Sequence, residues 1–495
     1  MDNYFEIGSK KLNISLIEDI LLKNKKTKLS KNSIDKIKKS RQFLESSISD
    51  DSLIYGVNTG FGSLCEEQIP LNKINKLQEN LIVSHACGTG DLISKDIIKI
   101  ILILKINSLS LGFSGVRLSL VELLIKIYNK DIIPVIYEQG SLGASGDLAP
   151  LAHLSLPLIG KGDVYYKGKI VKAKIAFKKE NITLYQLSYK EGLALLNGTQ
   201  FMTAFCAWSV IQSKKIAYFS DLIASISLEA FSCRHEPFSE LISLVRSHQG
   251  QIETSKNILK ILESSKVFFS NNMYTQDPYS FRCIPQVHGA TKDVIKHVNQ
   301  VLDIEMNSVT DNPIVFSKQS KVISGGNFHG QPIAMAMDYL AISMSELGNI
   351  SERRVFNLLS GQRGLPNYLI QEPGINSGFM ITQYTAASIV SQNKQFCTPS
   401  SIDSIVSSNG QEDHVSMGAN SALKLFKVIN NVNTLMSIEL MNSAQAIELK
   451  GVKSSKIILD LIQAYRKHVP FVKEDVVLSP FILKGKEFIA NYFLS

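Results

Sequence analysis

The sequence predicts a mainly α-helical protein, in which a long central helix bundle accompanies a smaller N-terminal region of helices, loops and short strands that carries the candidate active-site loops. Three observations predict this fold class: long stretches with apolar residues at helical spacing, few alternating strand patterns, and glycine-rich loops between the helical stretches. We expect residues 1–200 to form the N-terminal region and residues 201–495 to form the helix-bundle region.

The helical predictions rest on apolar residues that recur every three or four positions, because this spacing places them on one helix face. Val294, Val298 and Leu302 show the spacing, and the stretches 340–359 and 421–449 repeat it. The last of these stretches contains no proline. Several helices of this kind indicate a central bundle.

Strand signals are few. Residues 163–171 (DVYYKGKIV) alternate between apolar and polar side chains, with a Lys-Gly pair in the middle. This pattern predicts a small β-hairpin.

The composition is that of an ordinary globular protein, with 44% hydrophobic and 20% charged residues in 495. The most apolar stretch, 97–106, is interrupted by Lys99 and Lys105 and is shorter than the roughly 20 residues that a bilayer-spanning helix needs. The N-terminal residues lack the apolar core of a secretory signal. We therefore expect a cytoplasmic protein with no membrane partner.

The formal net charge of +9 raises the question of a nucleic-acid partner. The lysines are spread along the chain rather than gathered in one patch, so we expect none. The six cysteines contain no C-x-x-C pair and the nine histidines no H-x-x-x-H pair. This spacing favours reduced thiols and gives no indication of a metal site.

Four glycine-rich segments separate the helical stretches: 55–62 (YGVNTGFG), 140–150 (GSLGASGDLAP), 325–330 (GGNFHG) and 409–417 (NGQEDHVSM). Each combines backbone freedom with polar or aromatic side chains, as functional loops do. The first segment is not a phosphate-binding loop, since no Lys-Ser or Lys-Thr pair follows it. We expect these loops to converge on one pocket.

The segment Ala144-Ser145-Gly146 has the residue types needed to build an electrophile from the backbone. Attack of the Gly146 nitrogen on the Ala144 carbonyl carbon, with loss of one water, closes a five-membered ring. Loss of the Ser145 hydroxyl as a second water leaves an exocyclic C=C and completes a methylidene-imidazolone group. Glycine has no Cβ to hinder the attack, serine carries the leaving hydroxyl, and alanine is small.

The tripeptide by itself is weak evidence, because it should occur by chance in ~0.1–0.2 of chains of this length. The alternative is a turn that starts a helix, with Ser145 or Asp147 as the N-cap.

The context favours the electrophile. The segment GSLGASGDLAPLAHL at 140–154 resembles the cofactor-forming segment of the aromatic amino-acid ammonia-lyases, a family that includes histidine, phenylalanine and tyrosine lyases and related aminomutases. Other motifs of the family follow in the same order, so the resemblance runs from about residue 10 to the C-terminus. They are YGVNTGFG (55–62), SHACGTG (84–90), LLNGTQ (195–200), QDPYSFRC (276–283), DNPIV (311–315), GGNFHG (325–330) and QEDHVSMG (411–418).

Within the family the resemblance is closest to the histidine branch, because Ser84-His85 and the QEDH run at 411–414 match it. Gly330, Gln331 and His288 depart from the residues common there, which leaves the finer selectivity open. The resemblance implies conversion of L-histidine to trans-urocanate and ammonia, the first step of histidine degradation to glutamate. It also implies a methylidene-imidazolone formed from residues 144–146, with no exogenous cofactor.

The resemblance assigns Tyr55 as the base that removes the β-proton of the substrate. A free tyrosine has a pKa of ~10, so its pocket would have to stabilise the phenolate. The alternative is an aromatic side chain that anchors a tight glycine loop.

The resemblance assigns roles to eight further residues. Each has an ordinary structural alternative, such as a surface ion pair for the arginine or a core position for an aromatic ring. Arg282 should bind the substrate carboxylate, Asn197 and Tyr279 should support the electrophile, His85 and Glu412 should read the imidazole ring, Phe328 should form an apolar wall, and Gln276 and Gln411 should add polar lining.

Family members are homotetramers in which each active site is drawn from three chains, and we expect the same here. Two rival functions stay open: a tyrosine or phenylalanine lyase or aminomutase on the same scaffold, and a catalytically inactive binding protein. Ser84-His85 and Glu412 argue against the first rival. The intact segment 144–146, with Tyr55 and Arg282, argues against the second. No motif nominates the Schiff-base lysine of a pyridoxal-phosphate enzyme.

Overall fold

The structure is a computed structural model that describes residues 4–48, 53–270 and 273–492. These residues form nineteen α-helices and nine short strands, which confirms the mainly α fold class. The chain divides into two compact units. The first unit combines a segment that ends at Trp208 with residues 299–338 and 399–423, and the second combines residues 209–298 and 339–398 with a last segment that begins at Lys424. The sequence predicts a single boundary after residue 200, whereas each compact unit also includes segments from later in the chain.

The α-helices in chain order are α1 (Ile14–Leu22), α2 (Lys31–Ser46), α3 (Ile74–His85), α4 (Lys95–Ser110), α5 (Leu118–Asn129), α6 (Leu148–Ser155), α7 (Ala173–Lys179), α8 (Glu191–Leu196), α9 (Gln200–Ala230), α10 (Glu240–Leu244), α11 (Gln249–Ile261), α12 (Lys266–Ser270), α13 (Tyr279–Arg282), α14 (Ile284–Glu305), α15 (Gln331–Leu358), α16 (Met380–Phe396), α17 (Gly418–Lys450), α18 (Lys456–Arg466) and α19 (Ser479–Asn491). Short 3-10 helices cover Gly62–Leu64, Leu71–Lys73, Leu156–Ile159, Glu236–Phe238 and Ser408–Gly410. The strands are β1 (Tyr4–Ile7), β2 (Lys26–Leu29), β3 (Thr89–Leu92), β4 (Ile133–Pro134), β5 (Tyr137–Gln139), β6 (Asp163–Tyr166), β7 (Lys169–Lys172), β8 (Ile314–Phe316) and β9 (Lys321–Ile323). The stretches predicted to be helical lie within α14, α15 and α17.

The core of the first unit includes α4, whose side chains from Ile97 to Ser110 are buried except at Lys99. Its sequence is apolar on every face, and a helix of this kind is stable only when it is surrounded by protein or lipid. None of the helices in the described ranges has the length and apolar character needed to cross a membrane. The core of the unit therefore accounts for this apolar run.

Strands in the first unit are short and pair locally. β1 and β2 are parallel, and β6 and β7 form the hairpin that the sequence predicts. Lys167 and Gly168 at its turn both have positive φ, 48° and 79°. Such a two-residue turn matches the twist of the flanking strands. Its end pair Tyr166–Lys169 fixes the register.

In the second unit, buried charged side chains join four helices. Arg354 on α15 binds Glu439 on α17 through Nε–Oε1 (2.6 Å) and Nη2–Oε2 (2.9 Å), and neither side chain is exposed. His288 on α14 contacts Asp221 on α9 through Nδ1 (2.9 Å) and Arg354 through Nε2 (3.3 Å). Burial lowers the pKa of His288, so a neutral ring donates to Asp221 and accepts from Arg354. Because a buried charge tolerates few partners, we interpret this network as setting the register of the four helices.

Candidate active site

A cavity of about 1300 Å³ lies within the first unit. All four glycine-rich segments contribute to its wall, together with the ends of α3 and α8. Eight of the residues predicted for the site line it: Tyr55, His85, Ala144, Ser145, Asn197, Phe328, Gln411 and Glu412. The structure therefore brings together side chains that lie more than 350 positions apart in the sequence.

The backbone at Gly146 has a conformation and a neighbour that require glycine. Its φ is +76°, and a Cβ placed there would lie 2.3 Å from the carbonyl oxygen of Gly198. Ala144 beside it is buried against Val415 and Met417. The segment is thus packed tightly on both sides, while the Ser145 side chain reaches the cavity.

Asp147 follows directly and is fully buried. Its Oδ1 accepts from Ser141 Oγ (2.9 Å) and its Oδ2 from the backbone N–H of Met202 (3.1 Å). Although Asp147 occupies the N-cap position of α6, its side chain makes no capping hydrogen bond to that helix. The helix-cap alternative is therefore wrong for Asp147, whose carboxyl group ties the loop to the start of α9 instead.

The turn at Asn197 and Gly198 clamps the segment from the other side. Asn197 Nδ2 donates to the Ser145 carbonyl oxygen (2.7 Å), and the Asp147 N–H donates to the Gly198 carbonyl oxygen (2.8 Å). Lys105 on α4 holds this turn, because its Nζ donates to the carbonyl oxygens of Ala194 (3.1 Å) and Asn197 (2.8 Å). Hydrogen bonds therefore fix the peptide groups on both sides of Gly146.

Buried ionisable groups surround the turn. Burial lowers the pKa of Lys105 to about 7 and raises the pKa of Asp147 to about 7. A second buried lysine, Lys190, is paired with Asp311 at 2.5 Å. Each of these charges is costly to bury, and hydrogen bonds or an ion pair offset that cost. From the sequence, Lys105 was noted only as an interruption of the apolar run, and Asp147 only as an alternative N-cap of a helix.

Glu412 contacts the segment directly. Ser145 Oγ donates to Glu412 Oε1 at 2.9 Å, and Ser407 Oγ donates to Oε2 at 2.8 Å. The backbones of Ser407 and Glu412 also form an antiparallel bridge. Both carboxylate oxygens are thus held in place, one of them on the Ser145 hydroxyl.

Tyr55 lies across the cavity in a tightly bonded loop. Its Oη accepts from the backbone N–H of Gly62 (3.2 Å), and the N–H of Gly56 donates to Thr59 Oγ1 (3.1 Å). Burial raises the pKa of Tyr55, while the Gly62 N–H acts in the opposite direction. Stabilisation of a phenolate therefore requires a further positive group.

His85 ends α3 and shares a hydrogen bond with Ser84 Oγ (3.0 Å). Burial lowers its pKa, which favours the neutral ring. His329 and His414 were not predicted as site residues, yet both line the cavity with their ring centres 5.4 Å apart in a stacked arrangement. Both belong to motifs that it quoted, so the signal was present. Neither Gly330 nor Gln331 is part of the lining.

The remaining predicted residues form a separate cluster in the second unit. The Arg282 guanidinium lies 4.4 Å from the centre of the Tyr279 ring. With its amide turned, Gln276 accepts from Arg282 Nη1 at 3.0 Å. Tyr279 is 71% exposed. These three residues are therefore near one another but do not line the cavity of the first unit.

The residues that line the cavity include Glu66, Glu67, Glu412 and Asp413 but neither lysine nor arginine. Within the described ranges, no three His, Cys, Asp or Glu side chains are grouped in a way that could hold a metal ion. A carboxylate ligand in this cavity would thus lack a cationic partner from the described lining.

Known proteins resemble this chain over most of its length. The sequence profile described as aromatic amino acid lyase matches residues 12–467. A histidine ammonia-lyase of Caldanaerobacter subterraneus subsp. tengcongensis is 46% identical over 450 residues, which cover 90% of this chain and 89% of the relative. That of Halalkalibacterium halodurans is 42% identical over 494 residues, or 99% and 97% of the two chains.

Solved structures agree with this result. The histidine ammonia-lyase of Trypanosoma cruzi superposes with a TM-score of 0.92 at 36% identity, covering 99% of this chain and 94% of the other. A tyrosine aminomutase from Streptomyces globisporus gives a TM-score of 0.95 at 32% identity, with coverage of 99% and 97%. The fold is therefore common to proteins of different named activities.

Proposed function

The chain belongs to the aromatic amino acid lyase family, and on this premise we propose that it is an ammonia-lyase that converts L-histidine to trans-urocanate and ammonia. The observation that carries the proposal is the contact between Ser145 and Glu412 in one cavity. Ser145 belongs to the segment that can form the electrophile, and a carboxylate is a suitable acceptor for an imidazole N–H. Relatives with 42–46% identity that carry this activity support the choice of substrate.

Residues 144–146 fit a methylidene-imidazolone group. Gly146 has the positive φ and the crowded position that exclude a side chain, and Ala144 is buried. Asn197 Oδ1 is buried without a hydrogen-bond partner in the described structure, so it has room for one more donor beside Ser145. When formed, the group supplies an electrophilic carbon for the substrate's amine, which makes nitrogen a better leaving group.

Tyr55 is proposed to remove the β-proton of the substrate. Its hydroxyl lies in the same cavity as Ser145 and is oriented by the Gly62 N–H. Because burial raises its pKa, a nearby cation is needed to make it an effective base. The substrate's own ammonium group and Arg282 are the candidates.

His85 and Glu412 are proposed to bind the imidazole ring, and Phe328 to form the apolar wall against it. The lowered pKa of His85 keeps its ring neutral, so it can accept as well as donate a hydrogen bond. Phenylalanine offers no N–H to Glu412, so Oε1 of this half-buried carboxylate would receive no hydrogen bond from the ring. This mismatch is the physical basis for selectivity against a phenyl ring.

Arg282, Tyr279 and Gln276 are proposed to reach the cavity from another copy of the chain in a homotetramer. The absence of a cation from the described lining and the exposure of Tyr279 support this arrangement. Arg282 would then bind the substrate carboxylate through its planar guanidinium group. Gln411 and Gln276 would complete the polar lining.

The experiment is a substrate comparison with the purified protein. We expect kcat/KM for histidine to exceed that for tyrosine and phenylalanine by at least ~10²-fold, since a site arranged to accept a ring N–H discriminates against substrates that lack one. Formation of the conjugated product is followed by absorbance. A preference for tyrosine or phenylalanine would refute the choice of histidine and leave only the reaction class. A mass equal to that of the unmodified sequence, in active protein, would refute the electrophile.

A further inference from the structure

The carboxylate of Glu412 is held by two hydroxyl groups, one on each oxygen. Ser145 Oγ donates to Oε1 at 2.9 Å, and Ser407 Oγ donates to Oε2 at 2.8 Å. Among the described side chains, these are the two in hydrogen-bonding contact with Glu412. The proposed electrophile forms with loss of the Ser145 hydroxyl as water. The carboxylate then keeps the hydrogen bond from Ser407 alone.

Backbone contacts place Ser407 beside Glu412 whatever side chain position 407 carries. The Ser407 N–H donates to the Glu412 carbonyl oxygen at 2.9 Å, and the Glu412 N–H donates to the Ser407 carbonyl oxygen at 3.3 Å. Ser407 has an extended backbone, with φ −138° and ψ 178°, a conformation that β-branched residues favour. The hydroxyl can therefore be removed, or kept on a branched side chain, without a change in the path of the loop.

The hydrogen bond on Oε2 prepares Oε1 for a ligand. A glutamate side chain has several rotatable bonds, and fixing it at the moment of binding costs conformational entropy. Glu412 is half-buried, so its oxygens are not held by close packing alone. With Oε2 bound to Ser407, Oε1 faces Ser145, which is the residue beside which the substrate has to bind in order to react.

We propose that Ser407 is a positioning residue for substrate selection, whose hydroxyl holds the Glu412 carboxylate so that Oε1 accepts the ring N–H of histidine. The inference rests on the proposed function, in which Glu412 binds the imidazole. Ser407 is not part of the described cavity lining, so it acts through Glu412 and not on the substrate. Loss of its hydroxyl weakens recognition of the ring and leaves the electrophile intact.

The test measures binding of two ligands that differ in their rings. trans-Urocanate, the proposed product, carries the imidazole, and trans-cinnamate is its phenyl counterpart. Neither has an amine that could react with the electrophile, so their dissociation constants, measured by calorimetry, report ring recognition without turnover. The matched variants are Ser407→Thr and Ser407→Val, which share one shape and differ in a hydroxyl group against a methyl group.

We expect Ser407→Val to bind urocanate at least ~5-fold more weakly than wild type, a coupling typical of residues in one hydrogen-bond network. Its affinity for cinnamate should not change, because a phenyl ring has no N–H for Glu412. Ser407→Thr should retain the wild-type preference. The control is Ser404→Ala, which removes another hydroxyl of the same loop, one that accepts from the Val415 N–H at 2.9 Å. It should leave both dissociation constants unchanged.

A double variant shows whether Ser407 acts through Glu412. Glu412→Gln should itself lose most of the preference for urocanate, and adding Ser407→Val should weaken urocanate binding little further, because the positioned carboxylate is already absent. All variants should elute in the wild-type oligomeric state and show the loss of two waters, about 36 Da. Ser407→Ala takes the place of Ser407→Val if the larger side chain prevents recovery in that state.

Three results would overturn the proposal: a wild-type preference for urocanate in the variant without the hydroxyl, equal weakening of both ligands, or a full further loss when Ser407→Val is added to Glu412→Gln. A different result would refute the proposed function instead. In that case the wild-type protein itself would bind urocanate no better than cinnamate, whatever residue stands at position 407.

Discussion

At the scale of single residues, the role proposed for Tyr55 links activity to the ionisation of its hydroxyl group. Burial raises its pKa above the ordinary value of 10.0. A raised pKa keeps the phenol protonated at neutral pH. As long as the pH is below that pKa, each increase of one pH unit raises the phenolate fraction about tenfold. The reaction proposed for Tyr55 requires the phenolate.

We therefore expect kcat/KM for histidine to rise with pH across the alkaline range in which the protein stays folded. Tyr55→Phe should lower kcat by ~10²–10⁴-fold and remove that part of the pH dependence. Its mass should still show the loss of two waters, which separates catalysis from maturation. A Tyr55→Phe protein with nearly normal kcat would assign the base to another residue.

At the scale of elements, the junction of α4, α8 and the turn at 197–198 holds the segment 144–146, in which the electrophile is proposed to form. Lys105→Met keeps the length and burial of the side chain but leaves the carbonyl oxygens of Ala194 and Asn197 without their donor. Each unsatisfied carbonyl costs roughly 1–3 kcal/mol, partly offset because a buried charge is removed. We expect a less stable protein in which a measurable fraction of chains keeps one or both waters.

The control for Lys105→Met is Ile98→Ala, which creates a cavity at a buried position of the same helix, about two helical turns before Lys105. Ile98→Ala should lower the free energy of unfolding by roughly 2–5 kcal/mol. Its chains should nevertheless have lost both waters from residues 144–146. Urea unfolding and intact mass measure the two effects separately. If Lys105→Met loses both waters as completely as wild type, Lys105 only caps α8 and does not position residues 144–146.

Local patterns account for the elements but not for these contacts. The apolar spacing of α14 and α15 and the Lys-Gly turn between β6 and β7 are read from neighbouring residues, because helix faces and turns depend on short-range geometry. The contact of Lys105 with Asn197 joins residues 92 positions apart. Packing between elements determines which buried carbonyl group accepts a hydrogen bond from a lysine. A periodic pattern in the sequence therefore cannot predict this contact.

The same limit applies to the candidate site. The glycine-rich loops predicted a shared pocket, and the family resemblance assigned Tyr55, Ser145 and Glu412 to it. They did not reveal that Arg282 and Tyr279 lie in a different unit from that cavity. The order of motifs along the sequence does not reveal in which compact unit a motif lies. It also does not reveal whether a site residue comes from the same chain or from another copy.

At the scale of the whole molecule, the proposed sharing of sites between chains can be tested by complementation. Tyr55→Phe and Arg282→Ala proteins, each purified alone, should be nearly inactive. When the two are co-expressed, mixed oligomers contain cavities that receive Tyr55 from one chain and Arg282 from another. If two chains contribute these residues and the variants assemble at random, about one site in four receives both intact residues. The co-expressed protein should then have about a quarter of the wild-type activity.

The control is a mixture of the two separately purified proteins under conditions in which the oligomers do not exchange subunits. It should stay inactive. Co-expressed protein that is no more active than this mixture would mean that Tyr55 and Arg282 act within one chain.

The contacts of the segment 144–146 also bear on when it can react. Ser145 is bonded to Asn197 and Glu412, which lie 52 and 267 residues further along the sequence, and Ala144 packs against Val415 and Met417. A ribosome-bound fragment that ends before residue 412 lacks Glu412, Val415 and Met417, and a misfolded chain does not bring them to the segment. If the proposed ring closure needs this enclosure, the reactive alkene forms only in a chain that has been synthesised past residue 417 and has folded. Incomplete or misfolded copies would then carry no electrophile that could react with other proteins.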